Sequence, residues 1–128
     1  MMADGAKKVV LAVDDMSEVL ISINEILGDI YDVRLIKKAA LALDMLNKEK
    51  VDLVLLDIEM PEMSGVDILR NIRNNRALKK LPVMFITSNT NRLIVQQAVN
   101  LGISGYIGKP FATDTLRAKV AEVLEAAQ

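Results

Sequence analysis

Neither cysteine nor histidine occurs among the 128 residues. Without cysteine there can be no disulfide framework, no thiolate zinc site and no cysteine nucleophile; without histidine, imidazole bases and most transition-metal sites are excluded as well. Any chemistry must therefore rest on carboxylates, hydroxyls, amines and the backbone. An excess of positive charge is missing too: 16 basic side chains face 17 acidic ones, for a net charge of −1. That balance argues against a phosphate-backbone footprint or an anchor for acidic membranes, so neither nucleic acid nor membrane is expected as a direct partner. No run approaches the roughly 20 apolar residues of a membrane span, and the stretch from Met1 to Lys8 is short and polar, so a cytoplasmic location is expected. Linkers, repeats and low-complexity tracts are also lacking, which points to one domain. What is present is a composition 52% hydrophobic. A chain of about 150 residues buries roughly 70% of its unfolded surface, enough for a full core without metal or disulfide support.

Three apolar runs have strand length: Val9 to Val13, Val51 to Leu56 and Val83 to Ile86. They lack polar alternation, as suits strands covered on both faces of a parallel sheet. Weaker runs at Tyr31 to Ile36 and Ser104 to Ile107 complete five. Between and after them the apolar residues fall at helical spacing: Val19, Ile23, Ile26 and Leu27; Leu41, Met45 and Leu46; Val66, Leu69 and Ile72; Leu93, Ile94, Ala98 and Leu101; Leu116, Val120, Val123 and Leu124. Asp15 with Glu18, and Ser64 with Asp67, sit where an N-cap and its third helical residue would. Gly28 and Gly102 stand where left-handed helix ends favour glycine, and the helix opening at Ala39 has no evident cap. The basic cluster Arg70, Arg73, Arg76, Lys79 and Lys80 reads as a solvated helix end. The pattern predicts an α/β fold, (βα)5, with helices on both faces of a five-stranded parallel sheet. Residues 1–7 are expected to form a disordered or tag-like tail and residues 8–126 the domain.

Ligands of such sheets bind at the carboxyl ends of the strands. If the strands end where the apolar runs end, that edge carries Asp14 and Asp15, Asp57, Thr87 and Ser88, then Lys109. Two like charges about 4 Å apart repel by roughly 4 kcal/mol at an effective dielectric of 20, so three carboxylates there call for a cation. Hard oxygen donors select Mg²⁺, Ca²⁺ or Mn²⁺, and a partial carboxylate set with room for water and phosphate oxygens favours Mg²⁺. Lys109 would add a positive charge suited to a phosphoryl oxygen. One aspartate could then act as a nucleophile and form an aspartyl phosphate; Asp57, closing a wholly apolar central strand, is the best placed.

These residues resemble a response-regulator receiver domain of two-component signalling, over residues 8 to 126. The resemblance is carried by Asp14-Asp15, by Leu55-Leu56-Asp57-Ile58-Glu59-Met60-Pro61 with Ser64-Gly65, by Thr87-Ser88, and by Tyr106 before Lys109-Pro110-Phe111. It implies a flavodoxin-like three-layer sandwich with strand order 2-1-3-4-5 and Mg²⁺ as cofactor. Asp57 is then the phosphoacceptor, Asp14 and Asp15 hold the metal together with Asp57, and Glu59 contributes its backbone carbonyl to the same ion. Thr87 and Lys109 engage the phosphoryl group, Tyr106 is an aromatic switch that answers to Thr87, and the Lys109–Pro110 bond is cis. A histidine kinase or histidine phosphotransfer protein is the implied phosphodonor, and a downstream effector the implied reader of the switched face. Such a protein is a signalling phosphoacceptor rather than an enzyme. Ser88 and Gly108 depart from the commonest residues of the family, and Glu59 and Asn89 occupy positions that tune how long the phosphoryl group lasts. Leu93, Ile94 and Val95 cannot all face inward, which makes the helix from Leu93 to Leu101, with the last helix, the expected output face.

Other readings fit less well. A haloacid-dehalogenase-type phosphatase needs a second aspartate two residues after the first, where Glu59 stands. A flavodoxin-like cofactor carrier needs a hydroxyl- and glycine-rich phosphate loop where Asp14-Asp15-Met16 stands. The rival that remains is a receiver-like module that docks its partner without phosphorylation, against which the intact Asp14, Asp15, Asp57, Thr87 and Lys109 count.

Overall fold

The computed structural model describes residues 7–88 and 91–127; Asn89 and residues 1–6 of the expected tail lie outside the described residues. Strands and helices alternate: β1 (Val9–Val13), α1 (Ser17–Leu27), β2 (Asp32–Ile36), α2 (Ala39–Lys48), β3 (Leu53–Leu56), α3 (Gly65–Asn74), β4 (Val83–Thr87), α4 (Arg92–Asn100), β5 (Gly105–Gly108) and α5 (Thr113–Ala126). All strand pairs are parallel, in the order β2-β1-β3-β4-β5. The expected fold class and strand order are both found.

The unbroken apolar runs follow from burial on two sides. Leu11, Val13, Val54, Leu56, Val83 and Phe85 point to one face and pack with Ala42 and Leu46 of α2, Leu69 and Ile72 of α3 and Ala98 of α4. Their neighbours Val10, Ala12, Leu53, Leu55, Met84 and Ile86 point to the other and pack with Leu20, Ile23 and Leu27 of α1 and Leu116 and Val120 of α5. Edge strand β2 is only partly covered, which accounts for its weaker pattern. Of α4, Ala98 alone is fully buried, Ile94 and Val95 are half-buried and Leu93 is 75% exposed. Among the described residues no helix is long and apolar enough to cross a membrane.

Helix ends both match and correct the sequence reading. Ser64 caps α3, its hydroxyl accepting the Asp67 N–H at 3.1 Å, and Gly102 ends α4 with a φ of +77°. Asp15 does not cap α1. The helix starts at Ser17 with Met16 in the cap position, because Asp14 Oδ1 accepts the Met16 N–H at 2.9 Å and holds the loop open for two further residues. Gly28 keeps a right-handed backbone with φ −65°, so it is no left-handed terminus. Arg73 is not a solvated end of the basic cluster: its guanidinium donates to the carbonyls of Leu81 (2.8 Å), Leu101 (2.9 Å), Gly102 (2.9 Å) and Lys79 (3.4 Å). It thereby satisfies carbonyls that the C-terminus of α4 leaves unpaired and ties that end to α3.

Replacing Arg73 with Met removes these bonds while keeping most of the buried stem, and is expected to cost about 2 kcal/mol in chemical denaturation. Amide exchange should quicken locally at Gly102 and Ile103.

Candidate functional site

The in-phase register of the sheet brings the strand ends to one level: Val13 lies beside Leu56, Leu56 beside Phe85, and Thr87 beside Gly108. The residues that follow converge. Asp14, directly after β1, is 2% exposed, and Asp57, directly after β3, is 6% exposed. The Asp57 N–H donates to the Val13 carbonyl at 3.0 Å, so the backbones carrying the two carboxylates are joined to each other. Asp14 Oδ1 is taken by the Met16 N–H, while Oδ2 accepts from Lys109 Nζ at 2.7 Å. The same ammonium stands 3.5 Å from Asp57 Oδ1. Its reach is set by the backbone: the Lys109 N–H donates to the Thr87 carbonyl at 3.0 Å, and the Lys109–Pro110 bond is cis as the resemblance implied.

Asp15 stands beside Asp14 on the loop and is the more open to solvent. One carboxylate oxygen from each of Asp14, Asp15 and Asp57 lies within 4.8 Å of the others, a set able to coordinate a divalent cation. All three donors are hard oxygens, as the chemistry of Mg²⁺ or Ca²⁺ asks. The Glu59 side chain is exposed, and its backbone N–H bonds to the Asp57 carboxylate. Thr87, 1% exposed, ends β4 at the same edge. Tyr106 lies one strand over, in β5 beside Phe85, half-buried against the core. It lines a surface cleft of about 410 Å³ with Arg92, Val95 and Gln96 of α4. The predicted carboxylates of Asp14, Asp15 and Asp57 are thus brought to one small patch, with Lys109 in contact with Asp14 and near Asp57; Thr87 ends a strand at the same edge, and Tyr106 lies in the neighbouring strand.

Two features of the site were missed from the sequence. The Val13 carbonyl and Met16 N–H, main-chain groups with no side-chain signature, orient Asp57 and Asp14. A groove of about 190 Å³ opens beside Asp15, lined by Lys37, Lys38, Ala39, Met60, Pro61 and Met63. Its Lys37 is bonded to Ser17 Oγ at 2.8 Å. No spacing in the chain connects the β2–α2 turn with the β3–α3 loop.

Burial, and then the neighbouring Asp14 charge, push the Asp57 carboxyl up from its ordinary 3.8 to about 6, with Lys109 and the Glu59 N–H opposing them. The folded state therefore holds the Asp57 proton more tightly than the unfolded chain does. Ionising Asp57 between about pH 4 and pH 6 lowers stability, and the loss is complete above that window. In divalent-free buffer, Asp57→Asn is thus expected to stabilise the protein at pH 7.5 by about 1–3 kcal/mol and to have little effect below about pH 4, as read by denaturant titration.

A family model, "Response regulator receiver domain", matches residues 10–121. The chain is 37% identical to chemotaxis protein CheY-3 of Vibrio cholerae over 118 residues, covering 91% of each. It is 33% identical to chemotaxis protein CheY of Pseudomonas aeruginosa, covering 91% of this chain and 95% of that one. Among solved structures, a CheY-like receiver domain protein from Methanospirillum hungatei superposes with a TM-score of 0.89 at 28% identity, over 95% of this chain and 97% of the other.

Proposed function

The chain belongs to the response-regulator receiver-domain family, and we propose that it is switched by Mg²⁺-dependent transfer of a phosphoryl group to Asp57. It is a signalling phosphoacceptor rather than an enzyme that turns over an external substrate. The observation that carries the reading is the meeting of Asp14, Asp15, Asp57 and Lys109 at one edge of the sheet.

Asp57 would be the nucleophile. One of its oxygens attacks the phosphorus of a phosphohistidine, the P–N bond breaks, and the imidazole leaves with the bonding pair, so that a mixed anhydride forms on the aspartate. The donor is a sensor histidine kinase or a histidine phosphotransfer protein, and the reader a downstream effector. Asp14, Asp15, the Asp57 carboxylate and the Glu59 carbonyl would hold Mg²⁺, a partial ligand set that leaves positions for water and a phosphoryl oxygen. When bound, the ion neutralises charge on the transferring group and orients its oxygens. Lys109, already poised between Asp14 and Asp57, places its ammonium where charge develops on the phosphoryl oxygens. The Thr87 hydroxyl would donate to the phosphoryl group, and its movement would let Tyr106 turn inward, altering the cleft it shares with α4. Arg92, Val95 and Gln96 would then present a changed surface to the effector, together with exposed Leu93. Within this reading the protein works in the cytoplasm, where ATP-fed kinases present phosphohistidine.

With acetyl phosphate and Mg²⁺, the protein is expected to gain one phosphoryl group by intact-mass measurement. The gain should vanish with chelator and in Asp57→Asn, and Lys109→Ala should slow it by about tenfold or more. A phosphoryl group that persists in Asp57→Asn would move the site elsewhere, and none in the wild type would favour phosphorylation-independent docking.

A further inference from the structure

Helix α3 begins on the backbone of the loop that carries Asp57. The Gly65 N–H donates to the Ile58 carbonyl at 2.7 Å, and Gly65 itself is buried. A Cβ at this position would overlap the Asp57 carbonyl oxygen and lie 2.8 Å from Ile58 Cα and 3.0 Å from the Asp57 carbonyl carbon. All three obstacles are main-chain atoms, so no side chain can swing aside. The Gly65 backbone is helical, and the need for glycine is one of space rather than of a left-handed conformation. In a helix glycine costs about 1 kcal/mol relative to alanine, so the close approach runs against local helix stability.

The other side of the Asp57 backbone is held as well, through the peptide that precedes it. Asp57 donates to the Val13 carbonyl, and the next residue after Val13 is Asp14. The Asp57 backbone therefore sits between the end of β1, which holds its N–H, and the first residue of α3, which crowds its carbonyl. Neither jaw yields easily: Val13 is in the sheet, and Val66, Ile68, Leu69 and Ile72 fix α3 in the core. We propose that Gly65 is a positioning residue, whose missing side chain sets the depth at which the Asp57 carboxylate stands relative to Asp14 and Lys109. This inference rests on the reading of Asp57 as phosphoacceptor and metal ligand. A methyl group at residue 65 must drive the Asp57–Ile58 peptide off by several tenths of an ångström, against contacts that are already short. The displacement passes to the Asp57 carboxylate and to the Glu59 carbonyl two residues on.

The test compares Gly65→Ala with Gly102→Ala. The latter strains a φ of +77° at the end of α4 and destabilises the protein without touching the Asp57 loop. Calorimetry with Mg²⁺ alone and amide chemical shifts of both variants are read under conditions where each is folded. Gly65→Ala is expected to weaken Mg²⁺ binding about tenfold and to shift the Asp57 and Asp14 amides, a loss in keeping with misplacement of ligands by under an ångström. Gly102→Ala should keep wild-type affinity. Binding by Gly65→Ala within twofold of wild type, with unmoved Asp57 and Asp14 amides, would overturn the proposal. Should Gly65→Ala fail to fold, hydrogen exchange in the wild type decides: the Gly65 and Asp57 amides are expected to exchange through the same opening, and a Gly65 amide exchanging 100-fold faster would overturn it. Absence of Mg²⁺ uptake by the wild type would instead overturn the functional reading, and the amide shifts would still report whether Gly65 sets the loop.

Discussion

The ammonium of Lys109 lies 2.7 Å from Asp14 and 3.5 Å from Asp57, and these contacts reconcile a largely apolar core with buried acids at its edge. Two carboxylates so close would repel by several kcal/mol in a medium of intermediate dielectric. One lysine, itself 14% exposed, offsets part of that repulsion. It does not offset all of it, because Asp57 still resists ionisation. A site left short of positive charge is one that gains from a divalent cation. The parallel register makes the arrangement possible: four strand ends at a common level bring residues 14, 57, 87 and 109 together although the chain separates them widely.

Much of this was readable before any coordinates, and the reasons differ by element. The central strands declare themselves because burial on both faces removes polar alternation; β1 was placed to the residue at Val9–Val13. The runs beginning at Tyr31, Val51 and Ser104 start one or two residues before strands β2, β3 and β5, because composition alone does not mark where ladder pairing begins. Asp14 and Asp57 stood out because each follows directly on an apolar run, and Asp15 because it stands beside Asp14. Local hydrogen-bond competition was harder to see. Asp15 has the chemistry of an N-cap, yet Asp14 captured the Met16 N–H first. Gly28 has the composition of a left-handed terminus and a right-handed backbone. Arg73 looked like one more surface charge because its partners are carbonyls, which leave no mark on side-chain patterning.

The two ends of α3 hold different tasks. Its N-terminus, capped by Ser64 and narrowed at Gly65, abuts the backbone of Asp57, the proposed phosphoacceptor. Its C-terminus, through Arg73, grips the turn that closes α4 and opens β5. Between them Val66, Ile68, Leu69 and Ile72 are locked into the core, so the helix is a stiff spacer between the chemistry and the surface that would report it.

The Arg73 clamp also gives α4 a polarity. Two carbonyl bonds from Arg73, to Leu101 and Gly102, fasten the end of its last turn, whereas its first turn rests on a side-chain cap from Asn91 and carries Leu93 out into solvent. A rod nailed at one end does not translate. Were the proposed switch at Thr87 and Tyr106 to load α4, the load would act near its loose end, and the helix would answer as a lever, sweeping the greatest arc at Leu93 and almost none at Leu101.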